Sequence, residues 1–390
     1  MGMSAMTGVT HLVFSCGLVA CAVQALDGLP DPLKLASGER LKSPEEWAQK
    51  RRPEVLELFR THVYGRAPVG RPDDLKFEAA PAVEAMDGKA LRKDVSILFS
   101  GPGGKGRIRL LLFVPKNKTK PAPVFLLICH RGADNIDPTR KVRSPFWPAE
   151  TLIERGYAAA AFHINDVDPD KNDGFKDGVH KLFDQGARGP DAWGTLGSWA
   201  WGASRCMDYL ETDPDIDAKR CAVVGHSRGG KAALWCGAQD ERFALPISNE
   251  SGGTGAQLAR MKRGEVRAIT KYFPYWFCEK YKSYADKEDD LPVDQHELIA
   301  LMAPRLVYVA SAELDQYSHP QGELQACVEA SAVYAFLGQT GLSDTSPAKA
   351  DTPIHGGRIG YHMRAGKHDM TEYDWKCFID FADGHWRTAK

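Results

Sequence analysis

The chain has 390 residues, 43% of them apolar, with 50 basic against 51 acidic side chains. That length allows one large α/β domain or two ordinary ones, and the apolar content is that of a globular protein with a real core. A net charge of −1 gives no field to hold nucleic acid or an anionic membrane surface, so neither is expected as a partner.

The first apolar run, His11 to Ala25, is too short to span a bilayer. Val23 and Ala25 fit a signal-peptidase site, predicting a leader over residues 1–25 and a single catalytic domain over 26–390. Leu18-Val19-Ala20-Cys21 reads alternatively as a lipobox that would lipidate Cys21. Either way the expectation is export, periplasmic or secreted, with no integral membrane span. Seven widely spaced cysteines remain beyond the leader, without a C-x-x-C pair, so no zinc ribbon or thioredoxin-type motif is indicated. Their odd number leaves at least one thiol free.

Ser43-Pro44-Glu45-Glu46 reads as a helix start, with Ser43 as cap and Glu46 completing a capping box. Arg52-Pro53 interrupts the pattern before a second helical stretch that ends at Gly65. From about Leu91 the period changes to two, and Lys93 to Phe99 and Ile108 to Val114 read as an antiparallel hairpin. The connecting GPGGKG is superficially a phosphate loop. It leads into a strand and lacks a Ser or Thr after Lys105, so a hairpin turn is the better reading.

Pro123 to Cys129 and Gly156 to His163 are continuous apolar runs, as expected of buried parallel strands. The acidic stretch Asn165 to Asp173 has Lys171 where a calcium loop needs glycine, and reads as a solvated loop. Asp191 to Leu210 reads as a helix whose tryptophans (Trp193, Trp199, Trp201) belong to the core. Further strands are expected at Leu245 to Ser248, Arg305 to Ala310 and Ile359 to Arg364. An aromatic insertion, Lys262 to Tyr284, lies between the first two, and a last helix holds Trp375 to Ala382.

The chemistry centres on Val223 to Lys231, VVGHSRGGK. A buried strand, a turn with Gly225, Ser227 and Gly229, and a following helix make the G-x-S-x-G nucleophile elbow of an α/β-hydrolase. The predicted architecture is therefore a three-layer α/β/α sandwich with a mostly parallel central sheet. A serine hydroxyl is a poor nucleophile until a base takes its proton, and that base needs a carboxylate to orient it. His368, in the loop after the last strand, is the candidate base, preferred over His362, which falls within the strand pattern. Two acids qualify: Asp315 after the strand containing Arg305 to Ala310, and Glu250 after the strand beyond the elbow. Glu313 is a weaker third. Arg228 follows the nucleophile, where its N–H and guanidinium can face a developing oxyanion. Lys231, one turn on, shares the elbow's face and could hold sugar hydroxyls or a carboxylate.

The run GHSRGGK, Gly225 to Lys231, resembles the glucuronoyl esterases of carbohydrate esterase family fifteen, with an elbow of the form G-[CH]-S-R-x-G-K. Further matches from about Trp47 include WGASRCMDYL, NESGG around Glu250, FPYWF before Cys278 and GKHDMTEYDW around His368. The resemblance implies hydrolysis of (4-O-methyl-)glucuronic acid esters in xylan–lignin linkages. Ser227 would attack, His368 would carry the proton, and Arg228 would steady the oxyanion. Lys231 and Glu265 would hold ring hydroxyls. It also implies an acid at Glu250, at Asp315 or at both, with a slight preference for Glu250. Tyr317 stands where many members place a sugar-stacking tryptophan. No metal or organic cofactor is implied, and a monomer is expected. The alternatives are an acetyl-xylan or broad-specificity carbohydrate esterase, which Lys231 and Glu265 argue against, and a non-catalytic carbohydrate-binding protein with a relic elbow.

Overall fold

The computed structural model describes residues 26–387, so the leader and the lipobox reading at Cys21 lie outside the described residues. A ten-stranded sheet organises the chain. Its strands are β1 (Lys76–Ala79), β2 (Val83–Ala85), β3 (Ala90–Gly101), β4 (Gly104–Pro115), β5 (Ala122–Cys129), β6 (Ala158–His163), β7 (Ile216–His226), β8 (Leu245–Asn249), β9 (Val307–Ala312) and β10 (Ile359–Arg364). The order is β1-β3-β4-β6-β5-β7-β8-β9-β10, with β2 paired to β3. From β6 to β10 every pairing is parallel, and β1 to β4 form an antiparallel extension.

The continuous apolar runs follow from helices on both faces. Along β5, Val124, Leu126 and Ile128 enter one core with the helix Thr195–Leu210, while Phe125, Leu127 and Cys129 enter a second core with Trp375 and Phe378 of the last helix. This is the three-layer α/β/α arrangement expected from the elbow. Trp193, Trp199 and Trp201 are buried, as read, and all seven described cysteines are buried free thiols.

Three local readings change. Ser43 has the extended backbone of a cap but makes no side-chain cap bond; Glu46 instead accepts from the Lys42 N–H at 2.7 Å. Pro53 does not break the helix. The chain stays helical over 44–64 by widening to π turns at Trp47–Arg51 and Arg60–Tyr64, and the Arg52 N–H reaches five residues back to the Trp47 carbonyl. The wider turn absorbs the donor that proline lacks. Strands β1 and β2 had no periodic signal, being short, mostly exposed edge elements. The GPGGKG hairpin turn is as expected, and a Cβ at Gly103 would stand 2.0 Å from the Lys181 carbonyl oxygen. Close packing therefore explains that glycine, with no phosphate required.

Candidate active site

At the end of β7 the chain doubles back into the helix Arg228–Gln239, and Ser227 sits at the bend with φ 53° and ψ −122°. A Cβ on Gly225 would lie 2.0 Å from the Gly229 carbonyl oxygen, so strand and helix approach this closely only over glycine. Such a backbone costs about 1–3 kcal/mol and persists only when its surroundings hold it. Here the Ser227 N–H donates to the Asn249 carbonyl at 2.8 Å, and the Lys231 N–H donates to the Ser227 carbonyl at 3.2 Å. Ser227 opens into a cavity of about 690 Å³ that is also lined by Arg228, Lys231, Glu250, Glu265, Tyr317 and His368. Of the residues read as functional, Asp315 alone is set behind this wall, against His368.

His368 Nδ1 donates to Asp315 Oδ2 at 2.7 Å and lies 3.3 Å from Glu250 Oε2. The two carboxylates are engaged differently. Asp315 also accepts from the Ser318 hydroxyl at 2.7 Å and the Tyr317 N–H at 2.7 Å. Glu250, at φ 46°, accepts from Arg364 at 2.8 Å and from the Asp369 N–H at 2.9 Å. Burial raises the carboxyl of Glu250 above its usual range. Burial also opposes ionisation of Asp315, but the His368 and Ser318 hydrogen bonds outweigh it and lower the group. Both distance and charge thus make Asp315 the principal partner of the imidazole, which reverses the slight preference for Glu250. Burial disfavours charge on His368 too, yet the two acids lift it to about 9. His362 is fully buried between Asp374 at 2.9 Å and Tyr308 at 3.0 Å, a structural role, and Glu313 is exposed.

Arg228 reaches from the elbow to an ion pair with Asp170. Its guanidinium lies 4.7 Å from the Trp276 ring centre, and Trp276 stacks on Phe273 at 3.8 Å. Lys231 is 5% exposed, and its ammonium donates to the carbonyls of Ser251 and of Gly253, the latter at 2.6 Å. Burial depresses it to about 8. Glu265 is buried beside Lys262 at 3.1 Å, and Tyr317 is 74% exposed with its ring edge-on to His368 at 5.3 Å. Three hydrogen-bonding side chains and an exposed ring therefore ring the serine.

A model of the family described as glucuronyl esterase of fungi matches residues 109–338. A carbohydrate esterase from an unidentified prokaryote is 41% identical, over 92% of this chain and 89% of that protein. The chain belongs to the glucuronoyl esterase family. A glucuronoyl esterase structure from Solibacter usitatus superposes with a TM-score of 0.86 at 40% identity, covering 94% of this chain and 99% of that one. A 4-O-methyl-glucuronoyl methylesterase from Cerrena unicolor is 28% identical over 77% of this chain and 61% of its own length.

Two residues of this glucuronoyl esterase escaped the sequence reading. Asp170 lies in the acidic stretch read as solvated, yet it fixes Arg228 while accepting from Trp276 Nε1 at 2.8 Å and the Tyr275 hydroxyl at 2.9 Å. Its position beyond the C-terminal end of β6 was the available signal, since such loops form the sites of open parallel sheets. Glu323 is fully buried in the helix Pro320–Phe336, accepting from the Gly252 N–H at 2.8 Å and the Ser311 hydroxyl at 2.6 Å. It holds the Ser251–Gly253 loop against Lys231 and had no local sequence signal.

Proposed function

We propose that this esterase hydrolyses esters of (4-O-methyl-)glucuronic acid, of the kind that join xylan branches to lignin alcohols, by acyl transfer through Ser227. The observation that carries the reading is the His368–Asp315 hydrogen bond of 2.7 Å beside an elbow serine in one open cavity. His368 takes the Ser227 proton as the hydroxyl attacks the ester carbonyl, then returns it to the departing alcohol. The negative charge on the carbonyl oxygen is met by Arg228, already aimed by Asp170 and its aromatic neighbours. Water, deprotonated by His368, releases the uronic acid from the acyl-serine. Lys231 and Glu265 address the sugar ring, and Tyr317 offers it a face.

A uronate ring uses Lys231 and Glu265, which an acetyl ester leaves idle; this favours uronate esters over acetyl-xylan. A relic binding protein would have no need for the ion-paired imidazole. The test is hydrolysis of methyl and benzyl glucuronate against acetylated xylan, with Ser227→Ala as control. We expect uronate esters to be preferred and Ser227→Ala to lose at least about 10³-fold in kcat with an unchanged melting curve. Full activity in that variant would remove the serine mechanism, and preference for acetylated xylan would remove the uronate assignment.

A further inference from the structure

His368 stands in a loop, Ala365 to Asp369, that leaves the end of β10 and has no helix or strand of its own. Such a loop aims a side chain reproducibly only where its backbone groups are tied down. Arg364, the last residue of β10, does the tying. Its Nη2 donates to the carbonyls of Lys367 at 2.7 Å and Asp369 at 3.1 Å, the residues on either side of His368. Its Nη1 donates to the Ala365 carbonyl at 2.9 Å. Gly366 makes the room: a Cβ there would stand 2.8 Å from Arg364 Nη1, on a backbone with φ 113° that favours glycine.

The same guanidinium reaches two carboxylates. Nη2 meets Glu250 Oε1 at 2.8 Å, and Nε meets Asp374 Oδ2 at 3.1 Å. Asp374, fully buried in the first turn of the last helix, also accepts from Asn249 Nδ2 at 3.2 Å. The Asn249 carbonyl in turn receives the Ser227 N–H. Arg364 and Asp374 therefore join the bend that carries the nucleophile to the loop that carries its base.

Charge runs through the same contacts. Burial opposes ionisation of Glu250, and Asp374 adds to that, while His368 and Arg364 pull the other way. Besides the imidazole, Arg364 is the cation in contact with Glu250. Burial opposes charge on Arg364 as well, yet Asp374 and Glu250 outweigh it. The other groups facing His368 are Asp315 at 2.7 Å and the ring of His226 at 4.5 Å, which burial holds neutral. Asp369 and Arg131 satisfy each other at 2.7 Å. The imidazolium forms only once His368 has taken the serine proton, so anions held against it act on the transition state rather than on substrate binding.

We propose that Arg364 is a positioning residue for the reaction, templating the histidine loop through three carbonyls and holding Glu250 beside the imidazole as an anion. The proposal deepens the serine–histidine reading above and rests on it.

The test takes Arg364→Lys, Arg364→Gln, Glu250→Gln and the double variant Glu250→Gln/Arg364→Gln. The kcat, KM and pH profile of kcat/KM are measured on methyl glucuronate and on p-nitrophenyl acetate, at temperatures where melting curves show each variant folded. Arg364→Lys keeps a cation beside Glu250, but one ammonium cannot span three carbonyls and two carboxylates. Its kcat should fall about tenfold or more, with KM within about twofold and the acid limb of the profile unmoved. Arg364→Gln should lower kcat further and move that limb to lower pH, as Glu250→Gln does by itself, because either change takes one anion from the imidazole. In the double variant the limb should stay where Glu250→Gln put it while kcat still drops. A residue that only held the fold would lower the melting temperature without moving the limb. Wild-type kcat in Arg364→Lys, an unmoved limb in Arg364→Gln, or a loss confined to KM would overturn the proposal. Should Arg364→Gln not fold, the kcat of Arg364→Lys decides. Turnover of p-nitrophenyl acetate without turnover of methyl glucuronate would remove the uronate assignment and leave this test standing; full activity in Ser227→Ala would remove both.

Discussion

Two carboxylates on one imidazole nitrogen raise the question of which does the work. Asp315 is nearer to His368 and is the group its surroundings keep ionised, whereas Glu250 is committed to Arg364 and the Asp369 N–H. Asp315→Asn should therefore lower kcat about 10²-fold or more, with the loss limited by Glu250 at 3.3 Å. Glu250→Gln should act first on stability, because it leaves Arg364 short of a buried partner, at a cost of about 3 kcal/mol. Steady-state kinetics and thermal melts of the two variants separate the roles; equal kcat losses would show the acids to be interchangeable. Asp170 acts one step further out. With its carboxylate neutralised in Asp170→Asn, Arg228 loses its anchor, and kcat should fall about tenfold with KM little changed, since the oxyanion exists only after attack. A change confined to KM would place Arg228 on the ground-state substrate instead.

Among the elements, the elbow is the one whose residues were dictated by geometry before chemistry. Gly225 has no room for a side chain, so Gly225→Ala should destabilise by more than about 3 kcal/mol or prevent folding. Gly70→Ala, where a Cβ meets nothing within 4 Å and φ is unexceptional, should stay within about 0.5 kcal/mol. Chemical denaturation of the pair checks the contrast. The elbow, the apolar strands and the tryptophan helix were all legible, because each is fixed by residues close in sequence. The 44–64 helix was misread at Pro53 because a π turn costs little once tertiary packing buries Trp47, Val55 and Phe59. The acidic loop after β6 was misread because Asp170 finds its partners on the elbow and at Tyr275 and Trp276, about 60 and 105 residues away in the chain.

For the whole molecule, catalysis and stability are set against each other in pH. The folded state raises His368 from the ordinary value of about 6.5 to about 9. Between those values the folded protein binds more protons than the unfolded chain, so the stabilisation is complete below 6.5 and fades as pH rises. Glu323, lifted by burial to about 7, ends its own decline in the same direction. Lys231, lowered to about 8, begins to act oppositely above that point. The melting temperature should accordingly fall between about pH 6.5 and 8, while kcat/KM rises as His368 loses its proton. Asp315→Asn should flatten the first trend and shift the second toward lower pH. A melting temperature that rises through that window would show that the acids do not hold the imidazole charged.

The sequence by itself determined the fold class, the candidate nucleophile and the side chains offered around it, because an elbow, buried parallel strands and a histidine loop are each written in a few neighbouring residues. It leaned slightly to Glu250 over Asp315, offered Lys231 to sugar hydroxyls or a carboxylate without its buried bonds to the Ser251 and Gly253 carbonyls, and carried no sign of Glu323. Those were decided by tertiary structure alone. Ångström distances between loops far apart in the chain, and the burial that shifts charge between two otherwise equivalent carboxylates, exist only once the strands have been laid side by side.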